Sequence, residues 1–304
     1  MGPWLIRPEV GRALVTEHAA GRLRTSRPLS ITGPMAVTEP GDNPDVQELL
    51  YTKDETGVGV INITGVMVKG ESSFAGVTNT QRTRRAVRTA LRDADVETMV
   101  YIVDSPGGMA AGTPELAEDI RKAGLKKPSW AHVDDDAGSA AYYAASQAGK
   151  IAAQATSWIG SIGTLIVLYD QSEQFTAEGI KTFVVSTGAY KGAFASGAEI
   201  PKEHLEYAQH IVDTHGEFFI QAVAAGRKAA GMTLKDVRAA ADGRMYTAAE
   251  AKDMGLIDAV QRLDDTIAEA RAAAAAIREA RSPGGTPRLD RARRKARAAA
   301  ADAQ

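Results

Sequence analysis

The strongest constraint on the fold is the stretch 99–149, which passes twice from a short apolar run, through a glycine-bearing loop, into a helix. Met99 to Val103 is apolar and too short for a helix, so it reads as a buried strand. It runs into Asp104-Ser105-Pro106-Gly107-Gly108. Thr113-Pro114-Glu115 then opens a helix to Lys122, with Thr113 expected as its N-cap and Pro114 at its first position. Ser129 to Val133 reads as a second strand, followed by Asp134-Asp135-Asp136. Gly138-Ser139 leads into a helix of small residues, Ala140 to Ala148, which Gly149 stops. Strands that alternate with helices in this way bury both faces only in a largely parallel, helix-covered sheet.

The alternation continues on both sides. Gly57 to Thr64 reads as a strand, and Thr78 to Arg92 as a helix with a basic face of Arg82, Arg84, Arg85, Arg88 and Arg92. Strands are also expected over Ile151 to Ala155, Thr164 to Tyr169 and Lys181 to Ser186. A long helix is expected over Pro201 to Lys228, and shorter ones from Thr233 and over Thr247 to Met254. These elements define an α/β body over residues 51–262. Residues 1–50 read as an N-terminal arm with a short helix over Glu9 to Leu23, broken by Pro34 and by Glu39-Pro40-Gly41-Asp42-Asn43-Pro44. Residues 263–304 form an Ala/Arg-rich C-terminal tail. Thr266 to Arg281 favours helix, Ser282 to Pro287 breaks it, and the stretch from Arg288 has too few large apolar residues to pack. That last part is expected to be mobile and solvated, with a possible docking role on an acidic partner.

Composition narrows the chemistry. Lys and Arg number 36 against 38 Asp and Glu, so nucleic acid is not an expected partner. The absence of Cys excludes disulfides, thiolate metal sites and a cysteine nucleophile, and fits a cytoplasmic chain. No His-Glu-x-x-His pattern occurs among the five His, so neither metal nor cofactor is expected. No run approaches the roughly 20 apolar residues of a membrane span, and the first residues lack the apolar core of a signal peptide.

With no thiol, a serine is the candidate nucleophile, and a hydroxyl reacts only when a base takes its proton. Ser139 follows Gly138 at a helix start, where unsatisfied N–H groups favour negative charge. An ordinary N-cap serine fits the same position. Ser146, two turns on, reads as a packing residue. His132, in a strand, is the candidate histidine base. Lys191, in the small-residue loop Ser186-Thr187-Gly188-Ala189-Tyr190-Lys191-Gly192, is the leading lysine, with Lys150 and Lys181 as alternatives. A lysine can replace histidine where burial disfavours its charged form. Gly107-Gly108 can aim backbone N–H groups at a developing oxyanion, or serve only as a tight turn.

Taken in order, Asp-Ser-Pro-Gly-Gly at 104–108, Gly-Ser-Ala-Ala-Tyr-Tyr-Ala-Ala-Ser at 138–146, Ile-Gly-Ser-Ile-Gly-Thr at 159–164, Gly-Ala-Tyr-Lys at 188–191 and Gly-Arg-Met-Tyr-Thr-Ala-Ala-Glu-Ala-Lys-Asp-Met-Gly-Leu-Ile-Asp at 243–258 resemble the signal peptide peptidase A family of serine peptidases. The resemblance covers about residues 57–262 and is nearest to the phage and prophage capsid-maturation branch. It implies a Clp-protease/crotonase-like fold of repeated βαβ units and a Ser–Lys dyad. Ser139 then matches the nucleophile and Lys191 the general base. Gly108 and Ala140 match the oxyanion-hole N–H groups, and Ser161 the hydroxyl that supports the lysine. It further implies a homo-oligomer acting on protein or peptide substrates, such as capsid, portal or scaffold proteins, in the host cytoplasm or prohead. A peptidase of the same family degrading signal or other peptides is the alternative within the class. A Ser–His–Asp enzyme would need a histidine in Ile159 to Leu168, which has none. An acyl-CoA enzyme of the wider fold would not need Ser139 and Lys191 together. A non-catalytic assembly subunit with the same fold is the alternative of another class.

Overall fold

The computed structural model of the chain describes residues 4–6, 35–40, 47–70 and 76–282. The helix expected over Glu9 to Leu23 and the chain beyond Ser282 lie outside the described residues.

The principal sheet is built on three parallel strands, β4 (Val58–Thr64), β7 (Thr98–Ser105) and β9 (Ser129–Gly138). The middle strand β7 is apolar on both faces because both are covered. Met99, Tyr101 and Val103 join one core, while Val100 and Ile102 join the other. Met99, Tyr101 and Ile102 are at most 1% exposed. Burial of such a side chain contributes roughly 1.5–3 kcal/mol. Antiparallel β2 (Met35–Pro40) and β3 (Gln47–Lys53) extend the sheet beyond β4, so part of the expected arm is sheet edge. Beyond β9 the sheet forks. β10 (Lys150–Ala153) pairs with the first half of β9, and β11 (Trp158–Gly160) with its end, both parallel. β12 (Met245–Thr247) closes that side antiparallel to β11, and β13 (Ala259–Val260) pairs with β10. A second, smaller sheet runs β1 (Trp4–Ile6), β8 (Gly107–Met109), β5 (Val66–Val68), β6 (Val77–Asn79).

Three helices lie on the face carrying the larger core. They are α1 (Thr80–Arg92), α2 (Thr113–Gly124) and α3 (Ala140–Ala145). Asn79 caps α1 by accepting from the Arg82 N–H. The basic face of α1 is partly spent inside the fold, since Arg84 and Arg88 both hold Asp119 of α2. Thr113 is not the cap of α2. Gly112 takes that place at φ 89, and the Thr113 hydroxyl donates instead to the Met109 carbonyl. A side chain at 112 would also meet Thr80, which is why glycine wins the position.

After α4 (Ser172–Ala177) come α5 (Lys202–Gly226), α6 (Leu234–Ala240), α7 (Ala248–Asp253) and α8 (Leu263–Arg281). Thr233 and Thr247 form capping boxes with Asp236 and Glu250. Helix α8, expected within the tail, covers the other face of the sheet. Ile267 and Ala270 pack with Val58, Val60, Val100 and Ile102, and Arg271 pairs with Asp54. Its alanines hide an apolar stripe that counting large residues overlooks.

Two expected strands do not form. Thr164 to Tyr169 and Lys181 to Ser186 are coil, apart from one bridge residue. Their β-branched residues satisfy strand propensity, but among the described residues no strand forms a ladder with either. Val185 is 97% exposed, Phe183 82% and Tyr169 76%. Strand β9 also runs through Asp134-Asp135-Asp136 to Gly138, because pairing with β7 and β11 overrides the poor propensity of aspartate.

Candidate active site

Ser139 sits where β9 ends and α3 begins. Its backbone has φ 51 and ψ −117, outside the regions that suit a non-glycine residue. Such a conformation costs on the order of 1–3 kcal/mol and persists only where the surroundings over-determine it. They do so here. The Ser139 N–H donates to the Gly160 carbonyl at 2.8 Å, and the Ser139 carbonyl accepts from the Tyr143 N–H at 2.8 Å. Helix α3 is pinned in turn. The Tyr142 hydroxyl donates to the Leu256 carbonyl at 2.8 Å, Tyr143 stacks on Phe219 with centroids 4.9 Å apart, and Gln147 donates to the Ala222 carbonyl.

Ser139 occupies the N-cap position without making a cap bond. Its hydroxyl is buried, with no hydrogen-bond partner among the described residues. A capping serine would use that oxygen on an N2 or N3 N–H. Position and side chain therefore part company, and the oxygen is left for other work. Ala140, the first residue of α3, is fully buried in the larger core. Ser146 closes α3, and its hydroxyl donates to the Tyr143 carbonyl at 2.8 Å, a packing role as expected.

Ser161 is the neighbour of Ser139 in register. Gly138 of β9 pairs with Gly160 of β11, and each strand is followed by a serine at φ 51. The Ser161 N–H donates to the Arg244 carbonyl at 2.8 Å. The segment 243–258 thus supports this loop through β12 and the residue before it, a role invisible in its sequence. Gly108 lies in β8, which packs against α3. A Cβ at 108 would collide with the Met67 backbone, so glycine is required there by close approach as well as by any use of its N–H.

Lys191 stands apart. It is exposed, in a chain of turns where its N–H donates to the Gly188 carbonyl at 3.1 Å. With Phe183, Val184, Phe194 and His204 it lines a cavity of about 500 Å³, of which Ser139 is not a lining residue. The structure brings Ser139, Ala140 and Ser161 to the ends of the paired strands β9 and β11, with α3 packed on β8, while Lys191 lines a cavity to which Ser139 does not contribute. Lys150, at 60% side-chain exposure, pairs with Glu269, and Lys181 is exposed.

His132 is fully buried on the opposite face of the sheet from α3. Its Nδ1 lies 2.8 Å from the Thr266 hydroxyl of α8. Burial pushes its pKa down to about 4, against a smaller upward pull from Asp134, so the ring is neutral at pH 7. It is removed from Ser139 by the alternation of β9, whose Ala137 faces α3 while Trp130 faces α8. Asp104 is held above the usual carboxylate range, by burial first and then by the charges of Asp135, Asp136 and Asp134. Among the described residues no group of three or more His, Cys, Asp or Glu is placed to hold a metal, and no helix is long and apolar enough to cross a membrane.

The chain is similar to several known proteins. The chain is 30% identical over 171 residues to the head-tail preconnector protein GP5 of Enterobacteria phage P21, covering 55% of this chain and 34% of that one. It is 30% identical over 177 residues to the putative protease MJ0651 of Methanocaldococcus jannaschii, covering 58% and 56%. It is 25% identical over 280 residues to capsid assembly protease C of Escherichia phage lambda, covering 91% and 62%. The chain therefore spans less than two thirds of the length of each of these relatives. Among solved structures, a ClpP1 variant from Listeria monocytogenes aligns with 69% of this chain and 94% of its own at 12% identity and a TM-score of 0.44. The pattern of Peptidase family S49 matches residues 121–277, more than half of the chain and all of the β9–α3–β11 junction, and the chain belongs to that family.

Proposed function

We propose that the chain is a serine endopeptidase with a Ser139–Lys191 dyad, acting on phage or prophage head-assembly proteins. The observation that carries the reading is the Ser139 junction: a strained, over-determined backbone holding a buried hydroxyl that caps nothing. In the reaction, the neutral Lys191 amine takes the Ser139 proton as Oγ attacks the scissile carbonyl carbon. The resulting oxyanion is held by the N–H groups of Gly108 and Ala140. Collapse breaks the C–N bond, and the lysine ammonium gives its proton to the leaving amine. Water then attacks the acyl-enzyme with the same base, releasing the acid and restoring Ser139. The Ser161 hydroxyl orients the lysine.

This chemistry requires Lys191 to leave its exposed position and meet Ser139 in a site closed to water, where burial favours a neutral amine. The apolar residues on the same coil, Val167, Tyr169, Phe183 and Val185, supply a reason for it to be covered. Assembly into a homo-oligomer does so, consistent with the relatives named for head assembly. The test is incubation of the purified protein with capsid, portal and scaffold proteins of its own phage, beside Ser139→Ala and Lys191→Ala. Cleavage by the parent alone is expected. Cleavage by Ser139→Ala overturns the nucleophile, and cleavage by Lys191→Ala overturns the base.

A further inference from the structure

Strand β8 has two edges. One is taken by β5, through the pairing of Met67 with Gly108. The other carries β1 in antiparallel register, Trp4 opposite Met109, Leu5 opposite Gly108 and Ile6 opposite Gly107. The chain's own N-terminal segment thus runs along the three residues that include the proposed oxyanion donor, on a strand packed against the helix that follows Ser139.

A peptide presented in extended form to Gly108 would add to β8 as a strand, with main-chain hydrogen bonds that any sequence can make. Because β5 fills one edge, the only place for that peptide is the place β1 occupies. Two strands cannot share one edge. Ser139 is also only 1% exposed, so a substrate carbonyl reaches its hydroxyl only after covering chain has moved. The edge occupancy and the burial are separate observations, and both describe a site that is closed.

We propose that Trp4–Ile6 is an intramolecular occupant of the peptide-binding edge of β8, so that the N-terminal segment competes with substrate. The inference rests on the peptidase reading in placing substrate at Gly108. A tethered strand competes at a high effective concentration although its own affinity is weak. Its effect on the enzyme is to divide the dissociation constant for peptide by the fraction of sites that are open, which weakens apparent binding. An edge nine-tenths occupied raises KM about tenfold and leaves kcat unchanged, because saturating substrate displaces the strand.

The experiment compares the full chain with Leu5→Pro, which removes an N–H from the strand and disfavours pairing, and with a deletion of residues 2–6. Expected is a fall in KM for a short peptide of about tenfold in both, with kcat unchanged. A synthetic peptide of residues 1–10 should then inhibit the deleted protein competitively. Unchanged KM in both variants overturns the proposal, as does a fall in kcat without change in KM. A second measurement needs no catalysis: binding of the fluorescein-labelled 1–10 peptide to Ser139→Ala, with and without Leu5→Pro, followed by fluorescence polarisation. Tighter binding with Leu5→Pro supports the occupied edge even if no variant hydrolyses peptides, in which case the peptidase reading alone falls. Hydrolysis with equal KM and equal binding leaves that reading standing and removes the inference.

Discussion

The Ser139 junction and the coil from Thr164 to Ile200 answer the same sequence cues in opposite ways. Both contain β-branched and aromatic residues flanked by glycine. At the junction, β9 finds β7 on one side and β10 and β11 on the other, so the Ser139 N–H and carbonyl both have fixed partners. In the coil no strand among the described residues pairs with Lys181 to Ser186, and Phe183 and Val185 are exposed. Local propensity is therefore not what separates them. The difference is whether the partner edge lies within the same chain. A rigid junction can hold a strained nucleophile, whereas an unpartnered coil can deliver a second group only when something else orders it.

The sharpest way to break the comparison is at Ser139 itself. If Ser139 is the nucleophile, Ser139→Ala should lower kcat for peptide hydrolysis by about 10⁴-fold or more, as loss of the nucleophile does in subtilisin. The thermal midpoint should hold, since the hydroxyl makes no hydrogen bond. Steady-state kinetics and calorimetry together check both halves. A large loss of stability would mean that the serine was structural after all.

Next in size is an effect on the body alone. Arg227 is 2% exposed and forks onto Asp258, with bonds of 3.0 and 2.8 Å, while Asp258 also accepts from the Ile151 N–H. That pair ties the end of α5 to strand β10. Arg227→Met should cost about 2 kcal/mol, because the charged hydrogen bonds to a partly buried Asp258 side chain are lost. Chemical denaturation measures it, and a change below about 0.5 kcal/mol, the range of ordinary surface substitutions, would refute it.

The coil should respond in the reverse sense. Phe183→Asp and Val185→Asp touch exposed side chains, so stability should change by less than about 0.5 kcal/mol. If their apolar surface is an interface, light scattering should report smaller assemblies, and activity should fall about tenfold, as loss of one well-packed apolar anchor does. Wild-type assembly with wild-type activity in both variants would show the coil to be ordinary surface.

How much of this was legible beforehand follows the same division. The β7–α2 and β9–α3 units can be read because pattern and pairing agree there, whereas β8 reads as a loop and Ser161 is singled out only through the family resemblance. Helix α8 hid its packed face in alanines. The exposed state of Lys191 had no signal in sequence, because a lysine beside Gly188 and Gly192 looks the same whether buried or free. The pairing of β1 with Gly107–Met109 was equally silent, since it joins segments about a hundred residues apart through backbone alone.

A pH titration separates the regions with a smaller effect. Burial raises the Asp93 pKa, but bonds from Tyr51 and Lys53 outweigh it and bring the carboxyl down to about 2 from an ordinary 3.8. A depressed folded pKa adds stability above the unfolded value and loses it as pH falls through the folded one. The contribution is on the order of 1 kcal/mol once solvent screening is allowed for. Stability of the parent should therefore decline between about pH 4 and pH 2, and Asp93→Asn should flatten that part of the curve. Equal slopes in parent and variant would remove Asp93 from the account.

The smallest effect concerns how the coil meets the body. His204, in the first turn of α5, has Nε2 3.2 Å from the Ala189 carbonyl, two residues before Lys191. Its ring packs against Tyr190 at 5.7 Å and Phe194 at 6.1 Å, with Phe194 at φ 69. These contacts are the attachment of the Lys191 turns to a helix, and the hydrogen bond is donated by the Nε2–H to the Ala189 carbonyl. His204→Gln keeps an amide donor at that reach, while His204→Ala removes it. If Lys191 acts on Ser139, His204→Ala should lower kcat about fivefold, equivalent to about 1 kcal/mol for one lost hydrogen bond, with KM unchanged. His204→Gln should recover most of the loss. Equal kinetics in all three proteins would mean that the turns around Lys191 are ordered by another contact. A loss that glutamine does not repair would assign the role to ring packing instead.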